Sequence, residues 1–521
     1  MQDSTYRRTL LLPHPQSHVR SWRLLALLSL ASILLLSAPL ASAATWYVAA
    51  NGSDSNSGRS ADAPLRTPEA AFGRLSNGDS LFLRAGDRFT VSRSLRVSVS
   101  GSSSQPVVIG AYRMASGGRV DYRVDGARPV LDGRKSVPSP GSYVGLIHVT
   151  GRHVEVRDIE IRNSGGIGIR FAETEYGRAD NVRTDWTYRF GIQFFRSRYM
   201  EMTNCEIRNY GAGWYHHGEN DFPNGASIRS TSDAAVRGCR VYEGWGEGIN
   251  SFYGNRNVVI EHNIVYAAHA VGIYIDSTRN ADVRYNIVLG TADSTHHRYG
   301  SNTFTGPGIA LNNERYQFST SAGGTGGSLD ANEQVRNVRI HNNMVAGTRI
   351  GLAFFGQLDA TRWDGIQVAH NSFIDNDSQI ASPGSRSFSN SMIANNIFLS
   401  LSSGARDHGG EFSSSGLRWQ NNYWSQGQPP ASMRSSGDRH QGLALKKMSG
   451  WQQLRSFNDV SWSDFMPSAD SATIEAGATL ANGLAEFDLT GASMGTPPDM
   501  GALSHLGAER PAPPRALTVV N

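Results

Sequence analysis

The chain has 521 residues, and its 49 lysines and arginines against 45 aspartates and glutamates give a formal net charge of +4. Residues 1–43 carry four of these arginines and one aspartate, so the remainder has a net charge of only +1. A chain this close to neutrality lacks the basic surface that nucleic-acid binding requires, and we expect no nucleic-acid partner.

The N-terminal segment has the pattern of a secretory signal peptide. Four arginines precede an apolar run over residues 24–40, and Ala41-Ser42-Ala43 follows as a cleavage site. The run approaches the length of a membrane span, but Pro39 and the small residues after it favour cleavage after Ala43 over an uncleaved anchor. We therefore predict a periplasmic or secreted protein that has no membrane association after cleavage.

Residues 44–110 are predicted to form an N-terminal entry and capping segment. Within it, Thr67-Pro68-Glu69 predicts a short helix that runs to about Leu75, because Thr is a favoured N-cap and Pro is favoured at the first helical position. Such a helix would close the open end of a solenoid, whose exposed edge otherwise promotes aggregation.

From about Val154 to Phe398, a two-part motif recurs roughly every 24 residues. Its first part is a Gly-Ile-x-Ile-like strand: Gly191-Ile192-Gln193-Phe194, Gly248-Ile249-Asn250-Ser251, Gly272-Ile273-Tyr274-Ile275, Gly308-Ile309-Ala310-Leu311 and Gly351-Leu352-Ala353-Phe354. Both parts alternate apolar and polar residues, which is the strand period. One repeat cannot bury its own apolar face, so the coils must stack. We therefore predict an all-β fold, a parallel β-helix over residues 111–405, with C-terminal coils or a cap over 406–510 and a disordered tail over 511–521.

The second part of the motif begins with a column of small polar residues: Cys205, Cys239, Asn263, Asn286, Asn343, Asn371 and Asn396. Stacked asparagines can hydrogen-bond along the column. The only two cysteines, Cys205 and Cys239, would lie one strand spacing apart, which is compatible with a disulfide. Because parallel side chains point the same way, we interpret them as two buried core residues instead.

Two interruptions of the period predict loops. The step from Cys205 to Cys239 is 34 residues and that from Asn286 to Asn343 is 57, against 23 or 24 for neighbouring steps. Insertions on a rigid solenoid are where binding residues are usually found.

Side-chain alternation places candidate binding residues on one sheet face. The isoleucines of each Gly-Ile-x-Ile strand point inward, so the intervening residues point outward and stack into two exposed columns. One column contains Gln193, Ser227, Asn250, Tyr274 and Ala310, and the other contains Arg229, Phe252, Asp276 and Asn312. Polar groups interleaved with aromatic rings are typical of a sugar-binding surface. The alternative is an ordinary solvated sheet face.

The first insertion contains Trp214-Tyr215-His216-His217-Gly218-Glu219-Asn220-Asp221. Its histidines could supply a general base or a metal ligand and its aromatic residues a substrate clamp, whereas the alternative is a solvated loop. No zinc-type histidine spacing is present, so calcium, held by Glu219, Asp221 and Asp276, is the metal that these residues suit better. We expect no obligatory cofactor.

Three further residues could contribute to the same face. The second insertion carries His296 and His297 and follows the coil of Asp276, so it could lean over the face, although a polar loop is the simpler interpretation. Glu247 enters its strand between Gly246 and Gly248, where its carboxylate could face the groove.

The beginning of the chain after residue 43 resembles the entry segment of secreted right-handed parallel β-helix proteins. The resemblance lies in the stretches Thr45-Trp46-Tyr47-Val48-Ala49-Ala50-Asn51-Gly52-Ser53-Asp54, Ala63-Pro64-Leu65-Arg66-Thr67 and Gly78-Asp79-Ser80-Leu81-Phe82-Leu83-Arg84-Ala85-Gly86. The later Pro498-Asp499-Met500-Gly501-Ala502 resembles their ending. The resemblance to the pectate-lyase-like superfamily implies a right-handed β-helix. That superfamily holds lyases, glycoside hydrolases, epimerases and non-catalytic proteins, so the fold alone selects no activity.

Lysine content separates the mechanisms. The chain has only Lys135, Lys446 and Lys447, none in the repeat core, whereas several lyase families that the fold resembles use a lysine base. A lyase or epimerase acting on an acidic, uronate-containing polysaccharide would therefore use His216, His217 or Tyr274 to take the proton and Arg229 to neutralise the carboxylate. This is the first hypothesis.

Two other functions remain open. A glycoside hydrolase would use two carboxylates, Asp276 with Glu247 or Asp221. A non-catalytic carbohydrate-binding or surface protein would use the same face without turnover. In each case we expect a monomer whose partner is a polysaccharide.

Overall fold

The chain winds through three parallel β-sheets, visiting each sheet once per coil. The computed structural model describes residues 43–122, 126–213, 222–296, 305–314, 334–356, 362–382, 387–410, 412, 415–480, 484, 487–488 and 491–505. Strands are numbered in chain order.

The first sheet is the longest. Its strands are β1 (Thr45–Val48), β2 (Ser80–Arg84), β5 (Val107–Met114), β9 (Val154–Arg157), β12 (Arg178–Asp180), β15 (Arg198–Thr203), β18 (Ser232–Arg237), β21 (Arg256–Glu261), β24 (Arg279–Arg284), β27 (Arg336–His341), β31 (Gln367–Ala369), β35 (Ser391–Ala394) and β38 (Leu417–Gln420), with β6 (Val120–Asp121), β30 (Arg362–Asp364) and β34 (Ser387–Ser389) beside this path.

The second sheet lies next along each coil. Its strands are β3 (Arg88–Thr90), β7 (Val130–Val137), β10 (Glu160–Ser164), β13 (Arg183–Thr187), β16 (Glu206–Arg208), β19 (Arg240–Gly244), β22 (Ile264–Ala268), β25 (Ile287–Leu289), β28 (Met344–Ala346), β32 (Ser372–Ile374), β36 (Ile397–Leu399) and β39 (Tyr423–Trp424).

The third sheet completes the coil and carries the Gly-Ile-x-Ile strands. Its strands are β4 (Leu95–Val97), β8 (Gly145–Val149), β11 (Ile167–Ala172), β14 (Ile192–Phe195), β17 (Asn224–Arg229), β20 (Glu247–Phe252), β23 (Ile273–Asp276), β26 (Ile309–Asn312), β29 (Ile350–Phe354), β33 (Ser378–Ala381) and β37 (Arg406–Gly409). Along these three sheets every neighbouring pair is parallel, and the pairing joins strands one coil apart, as in β20 with β23. The predicted parallel β-helix is confirmed.

Hydrogen-bonded asparagines run through the core at the entry to the second sheet. The Asn263 amide donates to Asn286 Oδ1 at 3.0 Å, and that of Asn286 donates to Asn343 Oδ1 at 2.9 Å. The ladder continues through Asn371 and Asn396 and reaches Asn422, one coil beyond the predicted column. All of these asparagines are fully buried, so their mutual hydrogen bonds compensate for the loss of water.

The two cysteines stand at the head of this ladder. Both are buried and free, and the backbone N–H of Cys205 donates to Cys239 Sγ at 3.3 Å. They therefore act as small core residues, as the interpretation without a disulfide expects.

One short α-helix, α1 (Pro68–Phe72), lies at the N-terminal end. Thr67 caps it by accepting a hydrogen bond from the backbone N–H of Ala70, as predicted, and Ala71 and Phe72 pack into the apolar core. The helix ends at Phe72 rather than near Leu75, because Gly73 follows as its C-cap. Within the described residues, no helix has the length and apolar character needed to cross a membrane.

The segment after β39, from Ser425 to His505, packs against the outer face of the second sheet. It contains the 3₁₀ turns Ala431–Met433, Trp451–Gln453, Phe457–Asp459 and Trp462–Phe465. Its buried Trp451, Phe465 and Met500 join a second apolar cluster with Tyr266 and Met344 of the sheet. This outer face is therefore covered, whereas the outer face of the third sheet carries the candidate functional residues.

Candidate functional site on the third sheet

The strand register of the third sheet confirms both predicted outward columns. Gln193 pairs with Ser227, Ser227 with Asn250, and Asn250 with Tyr274. In the second column, Arg229 pairs with Phe252 and Asp276 with Asn312. Alternation along each strand therefore assigned these side chains to the correct face.

The prediction that both columns are exposed is wrong. Gln193 and Asn250 are each 1% exposed, Tyr274 is 3% exposed, and Asp276 and Asn312 have no exposed surface. Arg229 and Phe252 are half-buried. Part of the cause is Glu314, which follows β26 and contacts both Tyr274 and Asp276.

Four residues form the centre of this face, called here the carboxyl centre: Tyr274, Asp276, Asn312 and Glu314. The Tyr274 hydroxyl donates to Glu314 Oε1 and accepts a hydrogen bond of 2.6 Å from Asn312 Nδ2. The backbone N–H of Glu314 donates to Asp276 Oδ1 at 3.1 Å, and Ser277 Oγ donates to the same oxygen at 3.0 Å. These bonds hold the two carboxyl groups in one network.

The acidity of this centre is suppressed. Burial raises the pKa of Asp276 well above its ordinary value, and the charges of Glu314 and Glu247 raise it further. Burial also raises the pKa of Glu314, although hydrogen bonds from Tyr274 and Asn312 oppose the shift. The pKa of Tyr274 is raised by burial and by the Asp276 and Glu314 charges. Two adjacent carboxyl groups in such surroundings favour a state in which they share a proton.

Within the described part of the chain, neither Asp276 nor Glu314 forms an ion pair with an arginine, lysine or histidine. The second oxygen of Asp276, Oδ2, is buried without a hydrogen-bond partner. A carboxyl group with no counter-charge and one unsatisfied oxygen is typical of a catalytic or binding position rather than of a structural ion pair.

Glu247 adds a third carboxylate one strand earlier. Asn224 Nδ2 donates to Glu247 Oε2 at 2.7 Å, and Asn250 Nδ2 donates to the same oxygen. Glu247 is 9% exposed and its charge contributes to the raised pKa of Asp276. The predicted position of Glu247 beside the groove agrees with these contacts.

Several predicted residues lie outside the described part of the chain. These are Trp214, Tyr215, His216, His217, Glu219, Asp221 and His297, together with the side chain of His296. Of the three residues proposed to hold calcium, Asp276 alone is described, and the described residues contain no group of three His, Cys, Asp or Glu that could hold a metal ion. Calcium binding therefore stays a prediction.

Sequence reasoning missed Glu314, the half-buried member of the carboxyl centre. Its position was legible in part, because Asn312-Asn313-Glu314 directly follows the Gly-Ile-x-Ile strand β26 and the outward column already included Asn312. The repeat rule assigns residues within strands and is silent on a chain that folds back after one.

Comparison with known proteins gives matches at the level of family and structure. Residues 46–346 match the family model described as "Pel9A-like, right handed beta helix region". Pectate lyase Pel9A is 19% identical, with 88% of this chain and 96% of that chain covered and a TM-score of 0.49. A GH136 lacto-N-biosidase from Eubacterium ramulus is 16% identical, with 80% and 69% covered and a TM-score of 0.43.

A further solved structure, an alginate lyase from Paenibacillus sp. str. FPU-7, is 15% identical, with 61% of this chain and 93% of that chain covered and a TM-score of 0.36. No curated protein matches the chain. The family model covers more than half of the sequence and begins within β1. The chain therefore belongs to the Pel9A-like right-handed β-helix family.

Proposed function

We propose that this protein is a secreted enzyme that cleaves an acidic polysaccharide along the outer face of the third sheet, with the carboxyl centre transferring the protons. One observation carries the proposal: Asp276 and Glu314 are in contact, the pKa of each is raised, and neither has an ion-pair partner among the described residues. Carboxyl groups that keep a proton near neutral pH are the acids that glycan-cleaving enzymes use. The family, named after the pectate lyase Pel9A, supports a polysaccharide substrate.

Hydrolysis is the reaction that this geometry supports best. Glu314 is half-buried whereas Asp276 has no exposed surface, so we assign Glu314 as the acid. Its proton passes to the glycosidic oxygen as the bond between that oxygen and C1 breaks, and a water oxygen bonds to C1. The proton of this water passes to a second carboxylate. Glu247 suits that role, because two side-chain amides donate to it and so favour its ionised form.

Asp276 has a positioning role in this scheme. It accepts the backbone N–H of Glu314 and, through its proximity, competes for the same proton. Tyr274 and Asn312 orient the Glu314 carboxyl group by hydrogen bonds to it.

β-Elimination is the second candidate, and family membership favours it. Ionised Glu314 would take the proton from C5, beside the uronate carboxylate. The C4–O bond then breaks, a double bond forms between C4 and C5, and the Tyr274 hydroxyl protonates the leaving oxygen. A raised carboxyl pKa suits this step too, because it makes the ionised group a stronger base.

Product analysis separates the two reactions. The protein is incubated with alginate, polygalacturonate and the neutral glycan dextran, and reducing ends are measured beside the ultraviolet absorbance of unsaturated uronates. Reducing ends without this absorbance identify a hydrolase, and reducing ends with it identify a lyase. Absence of any product from both acidic polymers contradicts the proposal.

Substitution of Glu314 tests the assigned residue. Glu314→Gln removes the transferable proton but keeps the hydrogen bonds from Tyr274 and Asn312 to a side-chain oxygen, so kcat should fall by on the order of 10²-fold or more. Glu243→Gln is the matched control, because burial also raises the pKa of Glu243, which lies in β19 of the second sheet. Full activity in Glu314→Gln would refute the assignment.

A further inference from the structure

The outer face of the third sheet has opposite charge at its two ends. Arg96, His148 and Arg170 pair in register on the N-terminal strands β4, β8 and β11. Arg229 follows on β17, and the carboxylates of the proposed reaction begin at β20. Relying on the function proposed above, we propose that Arg170, Gln193 and Arg229 form an anion-binding subsite that holds a carboxylate of the polysaccharide several sugars away from the bond that is cleaved.

The two arginines lack counter-charges. Among the described residues, no carboxylate lies within ion-pair distance of Arg170 or Arg229. The neighbouring Arg196 does have such a partner, Glu173, at 3.5 Å. Burial lowers the pKa of Arg170 to about 10, and the charge of Arg229 lowers it further, which shows that the two cations are close enough to repel. An anion bound between them would relieve this repulsion.

Aromatic rings hold both guanidinium groups in place. The guanidinium carbon of Arg170 lies 4.5 Å from the ring centroid of Phe195, and that of Arg229 lies 4.3 Å from the ring centroid of Tyr253. Arg170 also donates to the main-chain oxygen of Tyr143, while its Nε is buried without a partner. Planar, pre-oriented guanidinium groups of this kind bind carboxylates with a small loss of conformational entropy.

Gln193 points independently to a ligand at the same place. It is 1% exposed, and neither its amide nitrogen nor its amide oxygen has a hydrogen-bond partner. In register it lies between Arg170 and Ser227. A buried amide with both ends unsatisfied is costly in a structural position, and a ligand carboxylate or hydroxyl would satisfy it.

The strand spacing sets the distance between this subsite and the reaction. Arg229 lies two strands before β23, which carries Asp276, and Arg170 lies four strands before it. At about 4.8 Å a strand these separations are roughly 10 and 19 Å. The subsite therefore contacts sugars beyond the two that flank the cleaved bond, so its contribution should require a substrate several sugars long.

Affinity electrophoresis tests the subsite without turnover. Every variant carries Glu314→Gln so that the polymer stays intact, and migration is measured in native gels containing alginate, polygalacturonate or dextran. Arg170→Gln combined with Arg229→Gln should raise the Kd for the acidic polymer by at least about tenfold and weaken its salt dependence. Arg418→Gln is the matched control, because Arg418 is exposed on the first sheet and has no ion pair among the described residues.

Each other outcome is decisive. An unchanged Kd in the double variant, tight binding of dextran that the double variant retains, or no retardation of the Glu314→Gln parent by either acidic polymer overturns the subsite. Thermal unfolding of each variant checks that the fold is retained. The proposed function fails separately, when Glu314→Gln retains turnover, so the two failures are distinguishable.

Discussion

At the scale of residues, the feature that most distinguishes this chain is a set of polar side chains that point outward and yet are buried. A carboxyl group in such a position loses hydration, and its charged form is disfavoured. Asp276 and Asp282 lie six residues apart and experience opposite environments: burial and Glu314 raise the pKa of Asp276, whereas at Asp282 the hydrogen bond from His341 and nearby arginines outweigh burial and lower it.

Asp276→Asn should become relatively more stabilising as pH rises. Asp276 has a raised pKa in the folded state, so the wild type loses stability as the pH rises above the ordinary carboxyl range, where the unfolded chain ionises first. Asparagine does not titrate and its Oδ1 can still accept from Glu314 and Ser277. The difference in Tm, variant minus wild type, should therefore increase between about pH 4 and pH 8.

Asp282→Asn is the control with the opposite sign. Because the folded pKa of Asp282 is lowered, its ionised form stabilises the wild type above the ordinary carboxyl range. The Tm difference for this variant should become more negative over the same pH interval. Parallel trends in the two variants would contradict the assigned environments.

At the scale of elements, the strands were predictable and the segments between them were not. Alternation and a period near 24 residues are local properties of the sequence, so they identified the outward columns of Gln193 and Arg229 correctly. Burial of those columns depends on chain that returns from elsewhere, as Glu314 does over Tyr274. No periodic rule encodes such a return, which is why the columns were expected to be exposed and Glu314 was missed.

The asparagine ladder explains why the period is so regular. Asn286 accepts hydrogen bonds from the backbone and side-chain amides of Asn263 and donates to Asn343 and to the main-chain oxygens of Ile260 and Arg284. One side chain thus connects three successive coils. Any shift in register would leave several buried polar groups unsatisfied.

Asn286→Ala should therefore lower the free energy of unfolding by about 3 kcal/mol or more. Asn280→Gly is a suitable control, because Asn280 lies in an exposed asparagine row, bonded to Asn257 at 3.1 Å, and glycine accepts its positive φ of 55°. The control should cost less than about 1 kcal/mol. Urea denaturation followed by circular dichroism measures both, and equal losses would show that burial of the ladder is not the cause.

At the scale of the whole molecule, one long core and two unlike outer faces divide the work of the β-helix. The second sheet buries its outer apolar residues under the segment from Ser425 to His505, whereas the third sheet keeps its outer face for buried polar groups and arginines. The resemblance at both ends of the chain predicted the solenoid. Docking of the C-terminal segment was not predictable, because its apolar residues follow no period that specifies a partner surface.

Trp451→Ala should release this C-terminal segment before the coils unfold. Trp451 is fully buried, its ring centroid lies 4.7 Å from that of Phe465, and it packs in the cluster that covers the second sheet. The substitution leaves a large cavity, with an expected loss of about 3–5 kcal/mol at this interface.

Limited proteolysis with mass spectrometry measures the release. Cleavage between Ser425 and His505 should precede loss of the β-sheet signal, and binding of a hydrophobic dye should rise as residues such as Tyr266 and Met344 become exposed. Met448→Ala provides the control, because Met448 lies in the same segment but is 40% exposed. If Trp451→Ala instead lowers Tm without early cleavage in this segment, the segment and the coils unfold as one cooperative unit, because loss of the interface then propagates into the stacked strands.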